Sequence, residues 1–315
     1  MLRKIYLPLT TVFLLICVAS CDKDVKEFTY LQFALQFDET QERLNNLGEP
    51  STLPPGNAAI TPVMHSMSVH YIELVPDAYT LYKEGQIIYK APETMDGGQL
   101  SIDFDSSLIT DENTSFYKVN INKIAPGTYQ YVRASLAYQN YDVQFNILNI
   151  PTVGDLLNQT GTVASFVGYR TYIRQLSVNQ LSTDIYADKD QGFWAFETLL
   201  SEPYNAYNAI YTGQAPAGAT TVVNPLHDTA PIPPGSCVVT GKFAEPLVIT
   251  GDESDDAIQE DLVITLSFST NQSFEWVDLN ANSAWDIDAA DASLTEQIVD
   301  MGVRGLIPIW EWKEQ

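Results

Sequence analysis

Cysteine, histidine and basic residues are the scarce components of this 315-residue chain: three Cys, three His, and 16 Lys+Arg against 40 Asp+Glu, for a formal net charge of −24. That balance excludes nucleic acid as a partner, because phosphates would be repelled along most of the surface. The cysteine count excludes a disulfide scaffold. Cys17 and Cys21 lie in or at the edge of an N-terminal leader, which leaves Cys237 alone in a strand-like Ser-Cys-Val-Val-Thr context, where it reads as a small buried hydrophobe. Convincing long amphipathic helices are missing. No G-x-S-x-G elbow, phosphate loop, H-E-x-x-H or Cys/His pair occurs either, so the common sequence signatures of catalysis are absent. Apolar residues are not scarce: 45% of the chain is hydrophobic, with 17 Tyr, 13 Phe and 5 Trp. That is enough to fill one or two sizeable cores and too apolar for a disordered acidic tail.

Residues 1–20, MLRKIYLPLTTVFLLICVAS, combine a short positive start (Arg3, Lys4) with an apolar stretch too short to span a bilayer comfortably, and read as a signal peptide. The segment ends Val18-Ala19-Ser20-Cys21, which resembles a lipobox, with Cys21 as the residue that receives lipid. Asp22 to Glu27 reads as a polar tether, so that 21–27 forms the anchor. Its Lys-acidic pairs resemble the surface-export signal of Bacteroidota lipoproteins. The resemblance implies a protein held at the outer membrane by its N-terminal lipid, facing the periplasm or the cell exterior.

Residues 28–315 are dominated by a period of two. Leu31, Phe33, Leu35 and Phe37 fall on one strand face, as do Leu262, Ile264, Leu266 and Phe268. Similar β-branched and aromatic runs recur at Met67–Val75, Gln86–Lys90, Phe116–Ile121, Tyr129–Tyr138, Tyr141–Leu148, Thr162–Ile173, Phe193–Glu197, Cys237–Ile249 and Phe274–Val277. One short helix is predicted near Ser293 to Met301, capped by Asp291 or Ser293 and closed by Gly302. Roughly a dozen strands predict an all-β fold, an antiparallel β-sandwich of Ig-like or jelly-roll-like type. It is either one elaborate domain or two stacked sandwiches divided near 149–161.

Three loops stand out. Residues 39–62 are polar, with Pro54-Pro55-Gly56, and residues 213–235 are built largely from Ala, Pro, Gly and Thr. Within the latter, Asp228-Thr229-Ala230 resembles the O-glycosylation acceptor of Bacteroidota secreted proteins, with Thr229 modified. Residues 251–261 pack six carboxylates into one turn, the pattern of a solvated, self-repelling loop.

Two clusters have metal-ligand chemistry. In Asp278-Leu-Asn280-Ala-Asn282-Ser-Ala-Trp285-Asp286-Ile-Asp288, alternating oxygen-bearing side chains occupy the first, third, fifth and ninth positions of a calcium-type loop. Ser283 stands where such loops carry glycine and Ala289 where they carry a bidentate glutamate, and Asp288 or Asp291 is the available substitute. The same residues also suit a β-turn in which Asn and Asp bond their own backbone. Met64, His65, Met67 and His70 hold two of the three histidines, and thioethers with imidazoles suit copper. On a straight strand Met64 and His70 share one face, His65 and Met67 the other, so four ligands require a bend.

Phe33-Ala-Leu-Gln-Phe37, Asn45-Asn46-Leu-Gly48, Ile102-Asp103-Phe104, Ala125-Pro126-Gly127-Thr128-Tyr129 and Gln191-Gly-Phe-Trp-Ala-Phe-Glu197 occur in an order similar to that of the MbnP-like domain of periplasmic copper-binding lipoproteins. These pieces cover about a tenth of the chain. The resemblance implies a β-sandwich with possible copper binding and assigns no ligand here.

For catalysis, Asp103/Asp105 and Glu73 are acids of the kind glycosidases use, but 40 carboxylates make such pairs unavoidable. Trp194, Tyr204, Tyr207 and Tyr211 either form a sugar-stacking platform or pack with Trp in the core and Tyr at its rim. The sequence thus predicts a lipid-anchored, non-enzymatic envelope protein that binds a small ligand, glycan, protein or metal. The alternative is a structural or adhesive lipoprotein stiffened by calcium.

Overall fold

A computed structural model of the chain describes residues 29–44, 50–215, 237–251 and 260–314. Cys21 with the leader and tether, Thr229, residues 45–48 and most of the acidic 251–261 turn lie outside the described residues. The first half of the chain forms β1 (Tyr30–Asp38), β2 (Asn57–Ile60), β3 (Val63–Val75), β4 (Gln86–Lys90), β5 (Glu93–Thr94), β6 (Ser101–Asp103), β7 (Ile109–Thr110), β8 (Ser115–Asn120), β9 (Gly127–Ile150) and β10 (Gly154–Phe166). The second half forms β11 (Arg170–Ser177), β12 (Ser182–Asp190), β13 (Phe193–Leu199), β14 (Ile210–Gln214), β15 (Val238–Ile249), β16 (Glu260–Ser269), β17 (Phe274–Val277), β18 (Asp286–Asp288), β19 (Ile298–Met301) and β20 (Arg304–Glu314).

The expected all-β sandwich is present. A four-stranded sheet, β20-β16-β1-β8, packs against a nine-stranded sheet ordered β14-β13-β10-β9-β3-β4, which β15, β18 and β7 extend. Most neighbours are antiparallel, but β1 pairs in parallel with β16, from Leu31 opposite Leu262 to Asp38 opposite Ser269. The period-two faces read from the sequence meet here. Leu31, Phe33, Leu35, Leu262, Ile264, Leu266 and Phe268 are all fully buried against Met67, Val69, Ile72 and Leu74 of β3, Val132, Ala134 and Leu136 of β9, and Cys237 and Val239.

The nine-stranded sheet outgrows this first core. Strand β9, 24 residues long, runs on into a second cluster through Tyr141, Val143 and Phe145. There it is faced by the small sheet β19-β17-β2, whose Phe274 and Trp276 are fully buried. A third cluster, around Tyr138, Phe166, Ile173, Leu176 and Phe193, sits under the sheet β12-β11-β6-β5. Residues 149–161 form the hairpin joining β9 to β10, which pair from Gly154 opposite Ile150 to Phe166 opposite Tyr138.

One expected element differs. Ser293–Met301 is not a helix: Asp291 caps a single 3₁₀ turn, Ala292–Leu294, and the chain then extends into β19. Helical periodicity loses to pairing here, because β19 lies opposite β17, with Met301 facing Phe274 and Ile298 facing Trp276.

Candidate functional site

The sequence alternation of β13 separates two environments. Phe193 and Ala195 point into the third cluster, whereas Trp194 and Phe196 point to the opposite face. Glycines on both flanking strands make room for those two rings. A Cβ at Gly213 on β14 would sit 2.2 Å from Trp194 Cζ2, and one at Gly161 on β10 would sit 2.3 Å from Phe196 Cε2. The rings therefore cover the space the glycines leave empty, and Tyr211, directly opposite Phe196 on β14, continues the surface outward.

This aromatic floor forms one side of a cleft of about 730 Å³. The other wall comes from residues 285–301: Trp285, Ile287, Ala289, Ala292, Ile298 and Met301. Trp285 ties wall to floor, its ring centroid 5.3 Å from that of Phe196, 6.0 Å from Phe145 and 5.2 Å from Phe274. Its indole N–H donates to the Glu296 carbonyl at 3.2 Å.

Glu296 holds the wall in place. Its Oε1 accepts the Leu279 amide at 2.8 Å and its Oε2 the Asp286 amide at 2.9 Å, closing the loop between β17 and β19. Burial pushes its carboxyl above the usual carboxylate range, and the negative charges of Asp286 and Asp278 add to that, against the two amide donors. Sequence reasoning placed Trp285 in a metal-type loop without a role and passed over Glu296 and Gln297. Trp285, an apolar ring inside a run of Asn and Asp, was the available signal.

The Asp278 loop is closed by its own hydrogen bonds. Asp278 accepts the amides of Asn282 and Ser283, Asn280 Oδ1 accepts the Asn282 amide, and Asn282 Oδ1 accepts the Ala284 amide. Ala281 and Ser283 take the left-handed conformation (φ 58° and 60°), the backbone for which loops of this kind favour glycine. Asp286, fully buried, accepts side-chain N–H groups from Asn146 (2.8 Å), Asn280 (2.6 Å) and Asn282 (2.8 Å). Asp288 accepts from Asn149 and from the amides of Ala290 and Asp291, which holds its carboxyl below the ordinary range, Asn149 contributing most. In element type these oxygens fit calcium, with Asp278, Asn280, Asn282 and Asp286 as the holding set. The Asn280 and Asn282 amides would first have to turn over, since their N–H₂ ends now face Asp286. Among the described residues no three His, Cys, Asp or Glu side chains converge as a metal-ligand group.

The Met/His residues share β3 but go to different partners. Met67 is buried in the first core, and Met64 packs at the edge of the first two clusters. His65 lies 2.9 Å from Asp142, and His70 Nε2 lies 3.0 Å from Glu93, with burial lowering its pKa. The acids noted for catalysis are also partnered. Arg174 donates to Asp103, Asp105 and Asp96, and Glu73 is buried beside Arg133. Of the four aromatics proposed as a platform, Trp194 and Tyr211 line the cleft. Tyr204 packs against the second cluster, and Tyr207 is exposed on the turn Asn205–Tyr207.

No family model, curated protein or solved structure matches this chain.

Proposed function

We propose that this protein is a lipid-anchored, non-enzymatic binding protein of the bacterial envelope, tethered through Cys21 and taking its ligand in the cleft between Trp194 and Trp285. The observation that carries the reading is the aromatic floor laid over Gly161 and Gly213, where Trp194 and Phe196 line a cleft of ligand size. No charged triad or isolated acid lines that space; its one carboxylate, Glu296, is engaged by backbone amides.

The tether is tested by Cys21→Ser, which should abolish incorporation of labelled palmitate and release the chain from the membrane fraction. The site is tested by melting curves of wild-type and Trp194→Ala proteins with N-phenylnaphthylamine and with maltohexaose. A rise in Tm with either compound that disappears in the variant supports the cleft. An equal rise in both proteins would put the ligand elsewhere.

A second reading, a structural or adhesive surface protein with a calcium-stiffened loop, is favoured by one observation. Asp278, Asp286, Asp288 and Glu296 crowd one loop, and among the described residues no Lys, Arg or His forms an ion pair with them. Calcium would relieve that repulsion. This reading expects a calcium-dependent rise in Tm that Asp278→Ala removes.

A further inference from the structure

The cleft has a skewed polar inventory, which bears on the chemistry of its occupant. Six polar side chains line it, and four are already bonded to the protein's own main chain. Thr198 Oγ1 accepts the Ala209 amide at 3.0 Å, and Thr295 Oγ1 accepts the Asp288 amide at 3.1 Å. Gln214 donates to the Gln191 carbonyl at 2.7 Å, and both Glu296 oxygens are taken by amides. Tyr211, Gln297 and the indole N–H of Trp194 have no hydrogen bond from their side chains to the described residues. The remaining eleven lining residues are apolar or aromatic, and no Lys, Arg or His is among them.

A sugar presents a hydroxyl on nearly every carbon, and each hydroxyl desolvated without a partner costs binding energy. Two unengaged polar side chains, the Trp194 N–H, and the open donor of Thr295 and acceptor of Gln214 fall short of that demand. An anion would enter a cleft whose only charge is the Glu296 carboxylate, on a chain of net charge −24. We propose, resting on the reading of the cleft as the ligand site, that it takes an uncharged, largely apolar, ring-bearing molecule. Its ring stacks on Trp194 and its single polar end meets Tyr211 and Gln297.

The test uses two fluorescent probes with the same ring skeleton, neutral N-phenylnaphthylamine and anionic anilinonaphthalene sulfonate, with maltohexaose as the sugar. Each probe is titrated into the full chain carrying Cys21→Ser, so that no acyl chain competes, while energy transfer from tryptophan is read; maltohexaose, which carries no acceptor fluorophore, is followed by the change in tryptophan emission itself. The neutral probe should bind at least about tenfold more tightly than the anionic one. Trp194→Ala should weaken it by at least about tenfold, as should Tyr211→Ala, which removes a side chain that is 55% exposed. Equal affinity for both probes would overturn the charge argument. Maltohexaose binding that depends on Trp194 would overturn the apolar class while keeping the cleft as the ligand site. No Trp194-dependent binding of any of the three would overturn both.

Discussion

The indole of Trp194 lies across Gly213 on the neighbouring strand, where a Cβ would stand 2.2 Å from Cζ2 and 2.6 Å from Cε2 of the ring. Gly213→Ala must therefore lift the indole off the sheet, at an overpacking cost of about 1–3 kcal/mol. Because β14 is the end strand of its sheet, the fold should survive. The expected result is a modest fall in Tm with a shifted tryptophan emission. Unchanged emission would mean that the ring does not rest on the glycine.

Glu296 joins the cleft wall to the Asp278 loop through two backbone amides. Glu296→Gln keeps the shape but turns one acceptor into a donor facing an N–H, a loss of about 1–3 kcal/mol. Urea unfolding should show that loss, together with a red shift of Trp285, whose ring lines the same wall. Wild-type stability in the variant would show that these amides do not depend on the carboxylate.

Arg133 and Glu73 are both fully buried, 3.6 Å apart, and the guanidinium also donates to the carbonyls of Thr80 (2.7 Å) and Leu81 (3.2 Å). Arg133→Met leaves the Glu73 carboxylate buried without its cation and should cost about 3–5 kcal/mol. Replacing Glu73 by Gln in the same chain should recover part of that in chemical denaturation. No recovery would assign the whole effect to the lost carbonyl contacts.

Asp300 sits among Arg304, Glu275 and Arg43. Burial, with the Glu275 charge adding to it, pushes its carboxyl up to about 7 against the pull of the two arginines. The folded state keeps this proton over a range in which the unfolded chain, ionising near 3.8, has released it. The contribution is therefore fully present below about pH 4 and is lost as pH rises toward 7, by at most on the order of 4 kcal/mol. Asp300→Asn should flatten that part of the stability–pH curve. The same slope in both proteins would assign it to other groups.

Much of the fold was legible because a half-buried strand writes its two faces into alternate residues. Leu31 to Phe37 and Leu262 to Phe268 fix the sandwich core in this way. The joining of the two runs at Tyr129 and Tyr141 into one strand was not legible. Gln139 and Asn140 read as a break, yet both are buried and bonded, Gln139 to the Val303 amide and Asn140 to the Val178 carbonyl. The false helix at Ser293–Met301 had a cap and a closing glycine, but its partner strand lies twenty residues or so upstream, beyond any local window. The cleft was legible only in part. Trp194 and Tyr211 are near neighbours in sequence, whereas Trp285 and Glu296 reach them only through tertiary folding. The room for the rings depends on Gly161 and Gly213, which carry no signal of their own.

The most direct measurement is fluorine NMR of the full Cys21→Ser chain labelled with fluorotryptophan, with N-phenylnaphthylamine added. The chain has five tryptophans: two line the cleft, Trp276 is buried in the second cluster, and Trp310 and Trp312 lie on β20. A ligand held in the cleft should give saturable shifts at Trp194 and Trp285 while Trp310 and Trp312 stay in place. Shifts confined to Trp310 and Trp312, or no shift at all, would contradict it.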